Sequence, residues 1–222
     1  MNGWKRERDE KGNLKRRYRT KFGEKDGEIK EWDSRGQLWI QTNYKGGKYD
    51  GEYKEFYENG QLKIQTTYKD GKYEGEYKQW HDNGQLKIQT TCKDGKINGD
   101  FKRWCENGQL KIQCYFIDGE KDGDYKEWWY HGQLSVHTTY KDGKREGVYK
   151  RWHDNNQLEI QTTYKNGKEH GDYKEWWDNG QICVQTTYKD GKYEGEFKKW
   201  SQNGDLTINE FYIDGTLQNE LL

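Results

Sequence analysis

The sequence contains no proline and no alanine. Lacking alanine, and with 27 glycines in 222 residues, it is a poor helix former. Aliphatic material is also scarce: Leu, Ile, Val and Phe total 31 residues, too few to fill a thick core. That scarcity is half the signature of a disordered chain. The other half, a large net charge, is missing, because 39 basic and 39 acidic residues cancel. No apolar run approaches the roughly 20 residues of a membrane span. The opening stretch MNGWKRERDEKGNLKRRY has charge but no apolar centre, so no signal peptide is expected. What the chain does hold is 11 Trp and 18 Tyr, residue types that suit strands.

Those residues recur with a fixed period. Gly-Gln-Leu, or a near copy, begins at Gly12, Gly36, Gly60, Gly84, Gly108, Gly132, Asn156, Gly180 and Gly204, always 24 residues apart. Each unit carries two hairpin signals, Asn-Gly as at Asn59-Gly60 and Asp-Gly as at Asp70-Gly71. Two strands per repeat follow. The predicted fold is all-β: an elongated, open, single-layer antiparallel meander of tandem 24-residue β-hairpins. It would hold roughly 18 strands and run roughly 80–90 Å at about 4.8 Å per strand. Residues 1–11 read as a partial repeat, 12–215 as about eight to nine tandem repeats, and 216–222 as a tail.

Period-two alternation sets Leu62, Ile64, Thr66 and Tyr68 on one face and Lys63, Gln65 and Thr67 on the other. Counting across Asp70-Gly71 adds Tyr73, Gly75 and Tyr77 to the first face, with Gly75 opposite Thr66. Across Asn59-Gly60, Tyr68 meets Gly51, and the same count pairs Tyr140 with Gly123 and Tyr188 with Gly171. The row Trp32, Trp80, Trp104, Trp128, Trp152, Trp176 and Trp200, with Phe56 in the remaining copy, trails the Tyr row by three residues. Two arrangements satisfy that spacing. A β-bulge between Tyr and Trp would return both to one face, the arrangement we favour because it hides more aromatic surface. Otherwise the Trp row lies on the polar face, with Trp80 across from Lys87 and Trp104 from Lys111.

The unit D-G-K-x-x-G-x-Y/F-K-x-W-x-x-N-G-Q-L, carried in one copy by Gly71, Gly75, Tyr77, Trp80, Gly84 and Leu86, resembles the MORN repeat in its antitoxin-associated variant. The resemblance runs from about Gly12 to Gly215, with a partial copy at Gly3-Trp4. It implies a single-layer twisted sheet of hairpins and a non-enzymatic role in protein interaction or membrane apposition, some members binding acidic phospholipids.

A catalytic constellation is not expected. Ser34, Ser135 and Ser201 are the only serines, and none sits in a nucleophile elbow. Glu74, Glu76, Asp122, Asp124, Glu194 and Glu196 recur by repeat position and read as solvated cross-strand charge pairs. No metal or cofactor site is expected. Cys92, Cys105, Cys114 and Cys183 contain no C-x-x-C, and free thiols in a reducing, intracellular compartment are their reading. His81, His131, His137, His153 and His170 occupy four repeat positions, only His81 and His153 sharing one. Zero net charge, with Lys and Glu alternating, argues against nucleic acid.

The leading functional expectation is a scaffold for protein–protein interaction through the aromatic rows Trp80, Trp104, Trp128, Trp152, Trp176 and Trp200. Self-association through sheet edges or that aromatic face is part of this reading. The alternative is a peripheral binder of acidic phospholipid using the basic cluster Lys15, Arg16, Arg17, Arg19 and Lys21, which otherwise reads as a charged cap on an edge strand. An antitoxin-like inhibitor of a partner protein is the third, from the resemblance.

Overall fold

A computed structural model describes residues 2–218; Met1 and residues 219–222, the end of the expected tail, lie outside it. The described residues form 23 strand segments and fall into two units, 1–109 and 110–222. In the first unit, Gly3–Arg8, Leu14–Lys21, Glu24–Trp32, Leu38–Lys45, Lys48–Phe56, Leu62–Lys69, the split strand Lys72–Tyr73/Gly75–Trp80, Leu86–Lys93 and Lys96–Trp104 pair antiparallel, each with the next. The second unit repeats this order from Leu110–Ile117 to Leu206–Ile213 and the short Thr216–Leu217. Each unit is thus an open meander.

The register carries the Tyr–Gly pairs read from the sequence: Gly51↔Tyr68, Gly123↔Tyr140 and Gly171↔Tyr188. The Asp-Gly hairpins turn as two-residue loops, with φ of 50° at Asp70 and 85° at Gly71. The Asn-Gly hairpins do not. Gly60 N donates to Tyr57 O at 2.9 Å and Tyr57 N to Gln61 O at 2.8 Å, so the loop is a longer turn with Gly60 at φ 81°. Asn59 keeps its place there because its side chain works: Oδ1 accepts from Gln61 N at 2.9 Å and Nδ2 donates to Asp82 O of the next turn at 2.8 Å.

Two irregularities recur in the repeats, and neither was placed by the alternation count. The first lies in the second strand. Tyr68↔Tyr73 is followed by Gln65↔Lys78 and Ile64↔Gln79, a slip of two residues around Glu74 and Gly75. It moves Gly75 out of the place opposite Thr66, which in the unbroken copies belongs to the Tyr row, as in Thr42↔Tyr53. An even slip leaves every side chain on its expected face. Glu74 N donates to Thr67 O at 2.9 Å, and Thr91 and Thr139 hydroxyls donate to the Asn98 and Glu146 carbonyls, pinning the slip. The second irregularity is a one-residue bulge in the first strand. Glu55 pairs Ile64 and Phe56 pairs Leu62, leaving Lys63 as the extra residue.

The core is a thin layer on one face. Thr42, Thr66 and Thr90 form a buried column in the first unit, and Cys114, Thr138, Thr162 and Thr186 form one in the second. Beside it runs a tyrosine ladder: Tyr44–Tyr49, Tyr49–Tyr68 and Tyr68–Tyr73 rings stand 4.4, 5.0 and 4.6 Å apart, while Tyr53 and Tyr77 pack edge-on. Tyr125–Tyr140, Tyr149–Tyr164 and Tyr173–Tyr188 repeat the contact. With few aliphatics available, β-branched Thr and aromatic rings supply the buried surface.

Candidate interaction surface

The opposite face is polar and built from a cluster that recurs by repeat. Lys54 Nζ lies 2.8 Å from Glu52, which also accepts from Gln65 of the neighbouring strand at 3.2 Å. Lys78, Glu76 and Gln89 copy this at 2.8 and 3.1 Å, and Lys30, Glu28 and Gln41 at 3.2 and 2.9 Å. In the second unit Asp124 lies 3.3 Å from Lys126 and 3.5 Å from His137. The charge pairs therefore form mainly along one strand, two residues apart, with the neighbouring strand adding an amide or imidazole. The Lys ammonium holds the Glu52 and Glu76 carboxyls below their usual range.

The other expected carboxylates have a different task. Glu74, Asp122 and Glu194 accept the backbone N–H of Asp94, Asp142 and Asp214 at 3.0, 3.3 and 2.8 Å, each 20 residues ahead. They fasten one Asp-Gly turn to the next. The Glu146–Asn166 contact at 2.7 Å follows the same rule.

The Trp row lies on this polar face. No residue is inserted between Tyr77 and Trp80, so alternation keeps Trp80 with Glu76 and Lys78, against the arrangement we favoured. The expected Trp–Lys pairing is also replaced. The bulge in the facing strand brings Leu86 opposite Trp80, as it brings Leu134 opposite Trp128, Leu158 opposite Trp152 and Ile182 opposite Trp176. Lys63 instead turns to the tyrosine face, 2.6 Å from Glu55, which also accepts from Tyr53. Arg151 and Glu159 make the same contact with the charges exchanged. Trp80, Trp104, Trp128, Trp152, Trp176 and Trp200 are all half-buried.

The backbone of this row is capped by a residue that the sequence shows only as variable. Tyr57 Oη donates to Trp80 O at 2.8 Å, Trp129 Nε1 to Trp152 O at 3.3 Å and Trp177 Nε1 to Trp200 O at 3.2 Å. His81 and His153 place Nε2 3.1 and 2.9 Å from the Trp104 and Trp176 carbonyls. A carbonyl can only accept, so both imidazoles carry their proton on Nε2. Tyr, Trp and His share a donor at similar reach, a likeness that residue identity hides.

The basic cluster is divided. Alternation sends Arg17, Arg19 and Lys21 to the polar face and Arg16 to the other, where it bridges Glu31 at 2.6 Å and Glu7 at 3.2 Å. Arg17 covers the Trp4 ring at 5.1 Å, and Lys15, Arg19 and Lys21 are exposed. Beside Lys21 stands Phe22, 85% exposed and at φ 52°, in the turn position that Asp or Asn fills at 70, 94, 118, 142, 166, 190 and 214. The four cysteines are free; burial pushes the Cys114 thiol up to about 11. Among the described residues no cluster of three His, Cys, Asp or Glu could hold a metal, and no helix is long and apolar enough to cross a membrane.

A family model described as MORN repeat variant matches seven consecutive segments: 25–45, 49–70, 73–94, 97–118, 121–142, 145–166 and 169–190. These make up more than half of the sequence, and the chain belongs to that family. No curated protein matches it. Among solved structures, a chain described as TcdB2-TccC3 is 11% identical over 94% of this chain, with a TM-score of 0.25. One described as TcdB2-TccC3-Cdc42 is 12% identical over 91%, with a TM-score of 0.14. This chain spans 14% and 15% of their lengths.

Proposed function

We propose that this repeat chain is a non-catalytic scaffold that binds another protein along its polar face. The observation that carries this is the Glu–Lys–Gln cluster, which recurs beside a half-buried Trp row. Each copy offers amide and carboxylate groups at a constant interval, and several weak contacts in register add to one stable attachment. The lysines are already neutralised by carboxylates two residues away, so the partner's recognition rests on hydrogen bonds and aromatic contact rather than net charge. The free thiols suit a reducing compartment. The test is quantitative capture of partners from the native host with the parent chain and with a Gln41→Ala/Gln65→Ala/Gln89→Ala variant, which removes the amides of three clusters, at low and physiological salt. Selective loss of the same partner in the variant, with little change on adding salt, supports the reading. Equal capture by both overturns it.

A second reading has its own support. Phe22 is a bulky apolar side chain held out at positive φ beside Lys21, near Arg19 and Arg17. An exposed ring among cations is what the interface of an anionic membrane accepts. Flotation with phosphatidylserine vesicles separates the two. Retention that is lost with Phe22→Asp and with salt promotes the membrane reading; recovery of the chain in the lipid-free fraction removes it.

A further inference from the structure

Asn-Gly is a reactive pair as well as a turn signal. Glycine has no side chain to shield its amide nitrogen, so that nitrogen can reach Cγ of the preceding asparagine. Asn59-Gly60, Asn83-Gly84, Asn166-Gly167 and Asn179-Gly180 are such pairs, and all are exposed. In each the attacking nitrogen is held alike. Gly60, Gly84 and Gly180 donate to the Tyr57, His81 and Trp177 carbonyls at 2.9, 3.0 and 2.9 Å, and Gly167 donates to Arg145 O at 2.9 Å.

The asparagine side chains are not held alike. Asn59, Asn83 and Asn179 sit in the longer turn, where Oδ1 accepts from the N–H two residues on at 2.9, 2.9 and 3.0 Å. Their Nδ2 donates to the Asp82, Glu106 and Gln202 carbonyls at 2.8, 2.8 and 3.1 Å. Both ends of each amide are tied. Asn166 sits in the two-residue loop at φ 52°, in the position that Asp fills at 70, 94, 142 and 190. Its backbone N–H donates to Glu146, but its side-chain amide has no hydrogen bond among the described residues. Lys165 and Lys168 face each other across this loop, and two cations favour the deprotonated form of a nitrogen between them.

We infer that Asn166-Gly167 is a site of spontaneous deamidation, and that the turn-to-turn hydrogen bonds protect Asn59, Asn83 and Asn179 from the same reaction. Gly167 N gives its proton to hydroxide and bonds to Asn166 Cγ. The bond from Cγ to Nδ2 breaks, and ammonia leaves with a proton drawn from water, closing a five-membered imide. Water then opens the ring. Attack at Cγ leaves aspartate; attack at the backbone carbon leaves isoaspartate, with the main chain routed through Cβ. The sum is one water consumed and one ammonia released, with no change of oxidation state.

The two products differ in effect. Aspartate is the residue of the sister turns and leaves the hairpin intact. Isoaspartate adds a backbone carbon to a loop held by Lys165↔Lys168 and Tyr164↔Glu169. The added length displaces Gly167 and breaks its hydrogen bond to Arg145 O, which fastens this hairpin to the one before it.

Ageing the full chain at neutral pH in heavy-oxygen water marks every opened imide, and mass spectrometry of the peptides locates the label. Methylation by an isoaspartyl methyltransferase separates isoaspartate from aspartate. Conversion at Asn166 should run at least about tenfold faster than at Asn59, Asn83 or Asn179, a scale set by the two hydrogen bonds that those three must first break. In urea that unfolds the chain the four rates should converge, because each asparagine is followed by glycine. The isoaspartate fraction, separated by chromatography, should exchange its Gly167 amide faster than the fresh protein does. Equal native rates at the four sites, a lead of Asn166 that persists in urea, or an isoaspartate fraction with Gly167 as protected as before overturns the proposal.

Discussion

The buried Thr column shows how a side chain can be chosen for its shape. Thr66, Thr138 and Thr162 are at most 1% exposed, and their hydroxyls find no partner among the described residues. Their branched carbon fills the layer, and the hydroxyl is a cost. Thr138→Val should therefore stabilise the chain by about 1 kcal/mol, read from urea denaturation, whereas a hydroxyl with a hidden role would make the change destabilising. The capping position behaves in the opposite sense. His153→Phe keeps the ring but removes the donor to Trp176 O, and should cost about 1 kcal/mol, with His153→Trp restoring most of it as Trp129 and Trp177 do at their sites. These roles were not legible in the sequence. Tyr, His and Trp at one repeat position read as variation because the shared property is a proton at a given distance, not a residue type. Glu74 and Glu194 misled for a related reason: their acceptors serve a turn 20 residues ahead, beyond any cross-strand count.

For the strands and turns, the period fixed almost everything that an even count can fix. Strand order, the Asp-Gly loops and the Tyr–Gly pairs were all readable, since a two-residue slip at Gly75 changes partners but not faces. The odd slip at Lys63 was not readable. A one-residue bulge leaves no mark in a strand whose Lys, Glu, Ser, Cys and Thr variants all tolerate it, and it decides both the face of Lys63 and the partner of the Trp row. The same hairpins yield two expectations. Phe22→Asn should raise stability by about 0.5–1 kcal/mol, because Asn tolerates the left-handed turn that Phe22 occupies; a fall in the denaturation midpoint would mean that the ring packs usefully. The tyrosine ladder predicts alkaline lability. Burial, then contact with Tyr73 and Tyr193, raises the Tyr68 and Tyr188 phenols well above their ordinary value of 10.0, and burial with the Glu55 and Glu175 carboxylates does so for Tyr53 and Tyr173. The folded chain thus keeps protons that the unfolded chain releases near pH 10. The ladder's contribution is whole below that pH and drains as pH rises above it. Urea midpoints should hold to about pH 9 and then fall, with tyrosinate absorbance appearing together with unfolding rather than before it.

At the scale of the whole molecule, the two units are built by one rule, and within each unit repeats lean on their neighbours through turn staples and carbonyl caps. Stability is then a sum of local terms. Trp176→Ala should cost about 1–3 kcal/mol, less than a closed core loses, and should speed hydrogen exchange in the strands from Leu158 to Lys189 while Glu24–Lys45 keeps its protection. Uniform acceleration along the chain would contradict additive repeats. Because each cap reaches the carbonyl 23 residues on, a loss or gain of 24 codons at a seam followed by Tyr, His or Trp at the cap position hands the Trp carbonyl a donor from a unit of the same design. The gene can lengthen or shorten by slippage without a compensating mutation elsewhere. Such a change would fall hard only where the incoming neighbour brings a poor donor to the junction, as Cys105 would, so copy number is free to drift while the side chain at the seam is not.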